Sequence, residues 1–207
     1  MQAARSLQRS GARDTTVVPL LISPAYHARV GVPAAISAMR SSAPHLAVAA
    51  ADPVGLHPLL VRAAAELVTA SGLPLDERTG IILAAAGSRD ARGVGAMESL
   101  FRAEGPGVAG QLGVRAVRGA YLDGGRPLGR IRTLMRCVDG CSSFVVVPMV
   151  IAEGVMRDRV VAAADRYDAP VTPGALADTN ALVDLIALRA GSAPAPTLTG
   201  SPAAAHP

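Results

Sequence analysis

The chain has 207 residues, half of them hydrophobic, a mean hydropathy of +0.35 and a net charge of +4. This composition excludes a disordered chain, and no apolar run reaches the roughly 18 residues of a membrane span. Aromatic residues make up only 2%, and no basic patch is interleaved with them, so nucleic-acid binding has no support.

All 20 basic residues are arginine. Arg5, Arg9, Arg13, Arg29 and Arg40 stand against Asp14 alone in the first 40 residues, so the excess charge lies there. Arg5, Arg9 and Arg13 share one helical face. The segment lacks the apolar centre of a secretory signal, and it reads as a domain helix in preference to a transit peptide.

Short apolar strands then alternate with Ala-rich helices. Strands are expected at Thr16–Ile22, Leu46–Ala50, Gly80–Ala85, Val114–Ala120, Ser143–Ile151 and Pro170–Val171. Helices are expected near 33–42, 58–71, 92–104, 127–138, 154–166 and 178–190, with a Gly-rich loop over Gly105–Gly113. Strands apolar throughout and separated by helices imply an α/β fold with parallel sheets covered on both faces. Ligands of such sheets sit at the carboxyl ends of the strands, where His27, Gly87-Ser88 and Glu153 fall.

One pattern occurs twice. Val17-Val18-Pro19-Leu20-Leu21-Ile22 leads into a corner with His27, and Val146-Val147-Pro148-Met149-Val150-Ile151 leads into a corner with Met156 in that place. Strand, corner, helix, strand and helix follow in both copies. Thr79–Ser142 precede the second copy, 64 residues, whereas Met1–Thr15 precede the first. The chain therefore reads as one and a half units: 1–72 as a partial first unit, 79–190 as a second, and 191–207 as a disordered Pro- and Ala-rich tail. The strands wanting from the first unit predict an open apolar edge and self-association, with a homodimer as one form.

His27 is the leading chemical residue. A neutral imidazole at a strand's carboxyl end can hold a borderline divalent ion or take a proton near neutral pH. The bland alternative is a loop histidine with a hydrogen-bonded ring. His57, in Gly55-Leu56-His57-Pro58, reads as a helix-entry residue, and His45 and His206 as solvent residues. Ala86-Gly87-Ser88-Arg89 could hold an anion on backbone amides, but it is neither a P-loop nor a dinucleotide fingerprint, so no nucleotide cofactor is expected. Glu153 and Asp158 read as solvent-facing helix starters. Cys137 and Cys141, four apart on an expected helix, read as reduced thiols of a cytoplasmic protein and not as a metal pair.

The segment Val17–Pro33, with Tyr-His-x-Arg-x-x-x-Pro over Tyr26–Pro33, resembles the sirohydrochlorin chelatase family, the class II cobalto- and ferrochelatases. Gly55–Val61, Leu83–Arg89, Ala120-Tyr121-Leu122 and Val146–Arg159 extend the resemblance over roughly residues 5–190. It implies two similar units, each around a four-stranded parallel sheet, and a lyase that inserts Co²⁺ or Fe²⁺ into sirohydrochlorin in cobalamin or sirohaem synthesis. It implies His27 as metal ligand and catalytic base. Arg29 and Arg62 are clamps for the carboxylates of the tetrapyrrole. The family's second histidine, in a His-Gly-Ser turn, has no counterpart; Ala86 stands at the equivalent turn of the second unit, and Gly31 replaces the usual Asp. With one imidazole the chain is expected to insert metal slowly or not at all. Two other readings differ in class: a silent metal- or tetrapyrrole-binding partner subunit, and a small-anion binder using Gly87-Ser88.

Overall fold

The computed structural model describes residues 2–22, 30–87, 91–123 and 126–196. Contacts divide the chain into one unit of Met1–Gly55 with Ile186–Pro207 and another of Leu56–Leu185.

The first unit opens with α1 (Gln2–Arg9), whose Ala4 is fully buried while Arg5 and Arg9 face solvent; Arg13, expected on the same helical face, lies exposed beyond the helix because α1 ends at Arg9. It is a domain helix, as the sequence suggests. β1 (Asp14–Val17), α2 (Val32–Ser42) and β2 (Ala47–Ala50) follow, with β1 and β2 pairing in parallel from Asp14–Ala47 to Val17–Ala50. Ala4, Ile36, Ala43, Leu46 and Val48 form the core of this unit.

The second unit holds α3 (Pro58–Ala70), β3 (Thr79–Gly87), α4 (Ala91–Leu112), β4 (Ala116–Asp123), α5 (Leu128–Leu134), β5 (Ser143–Pro148), α6 (Val155–Asp165) and most of α7 (Asn180–Gly191). Its parallel sheet runs β4-β3-β5, with β3 almost wholly buried. Helices cover it on both faces, because strands this apolar expose no polar side. Val171 adds a one-residue parallel bridge to Val146, in the place of a fourth strand. The four-stranded sheet implied by resemblance is thus three strands and a bridge here, and two strands in the first unit, among the described residues.

The repeat shows in the backbone. In the first copy the N–H groups of Ala51 and Gly55 donate to the carbonyls of Val17 and Leu21 at 2.9 and 3.0 Å. In the second, those of Thr172 and Leu176 donate to Val146 and Val150, both at 3.0 Å. Each copy builds the same ladder from different side chains.

Several expected boundaries move. β1 stops at Val17 and β5 at Pro148, short of Ile22 and Ile151; Pro19 and Pro148 have no N–H to continue a ladder. The Gly105–Gly113 loop is helix: α4 runs through Pro106 to Leu112. A Cβ on Gly105 would lie 3.1 Å from the Val117 carbonyl, so the small residue lets α4 approach β4, and burial of Phe101 and Val108 overrides low helix propensity. The helix expected over 127–138 is α5 followed by a π-helical turn, Met135–Asp139, which Gly140 ends at φ +73. Cys137 on that turn is exposed and Cys141 beyond it is buried; both are free thiols. The boundary expected at 72–79 falls at Leu56, because α3 packs against α4 and β5 instead of joining the first unit. Of the tail expected over 191–207, residues 197–207 lie outside the described residues. No described helix is long and apolar enough to cross a membrane.

Candidate functional site

In the second unit the chain leaves β3 toward β4 on one side and returns as β5 on the other, and in such sheets this switch in strand order marks the ligand crevice, at the carboxyl ends of β3 and β5. Gly87 ends β3 at φ +87, packed so close to the backbone of Asp123 that no side chain fits there. Asp123 ends β4 and accepts from Arg159 Nη2 on α6 through both carboxylate oxygens, at 2.9 and 3.0 Å. Arg159 also donates to Met156 Sδ at 3.6 Å.

Met156, which aligns with His27 in the sequence repeat, is a thioether that accepts from this arginine. With Ala86 at the end of β3, this crevice presents no imidazole among the described residues. Nor do these residues contain a group of three or more His, Cys, Asp and Glu able to hold a metal. Asp158 lies in the first turn of α6 and is exposed, as is Glu153 just before it, in agreement with their reading as helix starters.

In the first unit the corresponding strand ends are those of β1 and β2. The path from β1 is described to Ile22 and resumes at Val30; His27 and Arg29 lie outside the described residues. Ser88 and Arg89 of the expected anion turn, and His206, lie outside them too. Gly31 stands at the N-cap of α2 and offers no side chain to its amides. Beyond β2, Gly55 turns at φ +60, and Arg189 Nη2 and Nε donate to the Val54 carbonyl at 3.0 and 3.3 Å.

His57 is the N-cap of α3: its Nδ1 accepts from the Leu59 N–H at 3.2 Å, and Pro58 begins the helix. This is the helix-entry role its sequence context suggests. Arg62, one turn further on, is 59% exposed and pairs with Glu66 at 3.5 Å. Glu66 Oε2 also accepts from the Ala181 N–H at the start of α7, at 3.2 Å. His45 is exposed.

The pair Asp123–Arg159 was not legible in the sequence. Its members are 36 residues apart and meet only because β4 ends and α6 begins on the same side of the sheet. The only signal was that each sits in a segment of resemblance or directly beside one.

The CbiX family model matches residues 1–71. No curated protein matches. Among solved structures, SirB from Bacillus subtilis with Fe³⁺ is similar over 89% of this chain and 73% of its own, at 20% identity and a TM-score of 0.64. The sirohydrochlorin chelatase SirB from Bacillus subtilis subspecies spizizenii, in complex with cobalt, is similar over 92% and 73%, at 16% identity and 0.56. A multi-domain protein of Deinococcus radiodurans, DR2241, described as similar to chelatases with two further novel domains, is similar over 91% of this chain and 43% of its own, at 20% identity and 0.60. The CbiX model thus matches about a third of the chain, and over about nine-tenths of its length the chain has the fold of the two SirB structures.

Proposed function

We propose that this protein inserts a divalent cation, Co²⁺ or Fe²⁺, into a sirohydrochlorin-type tetrapyrrole. One observation carries the reading: the segment that matches CbiX contains His27, and the chain around it has the chelatase fold. The metal is a substrate. It enters as a dication, and the macrocycle releases its two pyrrole N–H protons to water and base as the metal–nitrogen bonds form. His27 holds the ion through a neutral imidazole nitrogen and, once the ion has passed to the macrocycle, takes up one of those protons. We assign Arg29 and Arg62 to the peripheral carboxylates, because a guanidinium makes paired charge-assisted bonds to such groups. For Arg62 this means exchanging Glu66 for a substrate carboxylate, which its exposure permits.

A second reading is supported by the second unit. Met156 aligned with His27, and Ala86 near the end of β3, leave the carboxyl ends of these strands without an imidazole among the described residues, which suits a half that binds the macrocycle without acting on it. A protein that binds tetrapyrrole or metal without turnover is the silent form of the same reading.

The test is anaerobic metallation of sirohydrochlorin followed by its visible absorption, with the uncatalysed rate subtracted. The wild type is expected to exceed that rate, and His27→Ala to lose about 10²–10⁴-fold, the value of a positioned base. Macrocycle binding without any rate above background would establish the silent form. Equal rates for wild type and His27→Ala would remove His27 from the chemistry.

A further inference from the structure

A groove runs along the edge of β4 that does not pair with β3. Its cavity, about 330 Å³, is walled by α4, β4 and the turn after α5. Arg102, Arg115, Arg118 and Arg126 line it, against the carboxylates of Glu98 and Asp139. An adjoining cavity shares Glu98, Arg126 and Ile131 and adds Arg130. Four guanidinium groups thus line the groove with two carboxylates, and a fifth lines the adjoining cavity.

The carboxylates are already engaged. Asp139 accepts from Arg118 Nε and Nη2 at 2.6 and 2.5 Å, and its backbone carbonyl accepts from Arg115 Nε at 2.7 Å. Glu98 pairs with Arg126 Nε at 3.5 Å. These bonds use one edge of Arg118 and the Nε of Arg115 and Arg126, and leave terminal N–H groups of all three to be satisfied. The π-helical turn supplies this arrangement: its wide last turn, closed by Gly140, aims both the carboxylate and the carbonyl of Asp139 at β4. Such turns are rare and occur disproportionately at functional sites. The remaining wall is apolar, from Phe101, Pro106, Ala109, Val117 and Ile131.

We infer that this groove binds a small organic polycarboxylate, its carboxylates on Arg102, Arg115 and Arg126 and its carbon skeleton against Phe101 and Val117. The excess of guanidinium over carboxylate selects an anion. The apolar wall selects an organic anion over an inorganic one. The volume lies at the lower end of the roughly 300–1,000 Å³ of ligand pockets, which selects a small molecule. The inference is independent of the chelatase reading, because every residue lies in the second unit and none belongs to the metal-handling set.

Calorimetric titration of citrate into the full chain at low ionic strength tests it, with sulfate and inorganic phosphate as separate arms. Saturable citrate binding is expected, weakened about tenfold or more in Arg102→Gln and further in the double variant Arg102→Gln/Arg115→Gln. Circular dichroism melting checks that the variants fold, and Arg102→Gln alone, at an exposed helical position, carries the test if the double variant does not. No saturable heat, or equal affinity in wild type and Arg102→Gln, overturns the site. Sulfate or phosphate binding as tightly as citrate overturns its organic ligand.

Discussion

The ring of Phe101 on α4 rests against Gly119 on β4 so closely that a β-carbon on the glycine would overlap it. Phe101 is 2% exposed, so it has nowhere to retreat. Gly119→Ala should cost about 1–3 kcal/mol, the usual penalty of overpacking a filled site. Phe101→Leu vacates the ring volume at its own cost, and the double variant should be more stable than the two losses summed. Urea unfolding of the four proteins measures the coupling; strict additivity would mean that α4 shifts freely over the sheet.

Asp139 ties the π-helical turn to β4 through Arg118, whose guanidinium pKa is raised first of all by the hydrogen bond to that carboxylate. Asp139→Asn keeps the shape and removes the charge. With Arg118 40% exposed, solvent screening reduces the pair's value, and a loss of about 1 kcal/mol is expected at low salt. The loss should shrink in 1 M salt, as the urea midpoint of each protein will show.

Asp76 accepts from Thr79 Oγ1 at 2.7 Å and from the Arg78 N–H at 3.0 Å, and these bonds, Thr79 first, hold its carboxyl pKa below the ordinary value. The folded state therefore favours the carboxylate. Its contribution is complete above the unfolded pKa near 4 and is lost as pH falls through the folded pKa. Asp76→Asn should be less stable than wild type by a constant amount above about pH 5, with the gap closing in stronger acid. Urea midpoints from pH 7 down to 2 test this; a gap that stays constant to the lowest pH would contradict it.

The two cysteines should react differently. Cys141 is 4% exposed and burial pushes its thiol pKa up, whereas Cys137 is exposed on the π-helical turn. Iodoacetamide at pH 8 should label Cys137 alone in the folded protein and both in urea. Mass spectrometry of the peptides reads the outcome, and early native labelling of Cys141 would show that the turn opens.

The fold was legible where burial writes itself as composition. Gly80–Ala85 and Phe144–Val147 are unbroken apolar runs, and they lie in the central strand β3 and in β5 beside it. The repeat was legible because both copies keep the sequence Val-Val-Pro at the strand's end. What was not legible depends on distant neighbours. Gly105 reads as a breaker until β4 is seen beneath it, and nothing in Met135–Asp139 marks a π-helical turn. The arginine groove draws on α4, β4 and the loop after β4, so no local spacing could show it. Of the site itself, the capping role of His57 was readable from the proline that follows, while His27 and Arg29 rest on resemblance.

The first unit is discontinuous: Met1–Gly55 are joined by Ile186 onward, and Arg189 fastens the Val54 carbonyl after β2. The intervening Leu56–Leu185 is one uninterrupted stretch with its own sheet. During synthesis the oldest part of the chain must therefore wait for the youngest. The three-stranded sheet can close while the first 55 residues still lack their last partner, and a ribosome stalled before codon 186 would release a protein whose second half is finished and whose first is not.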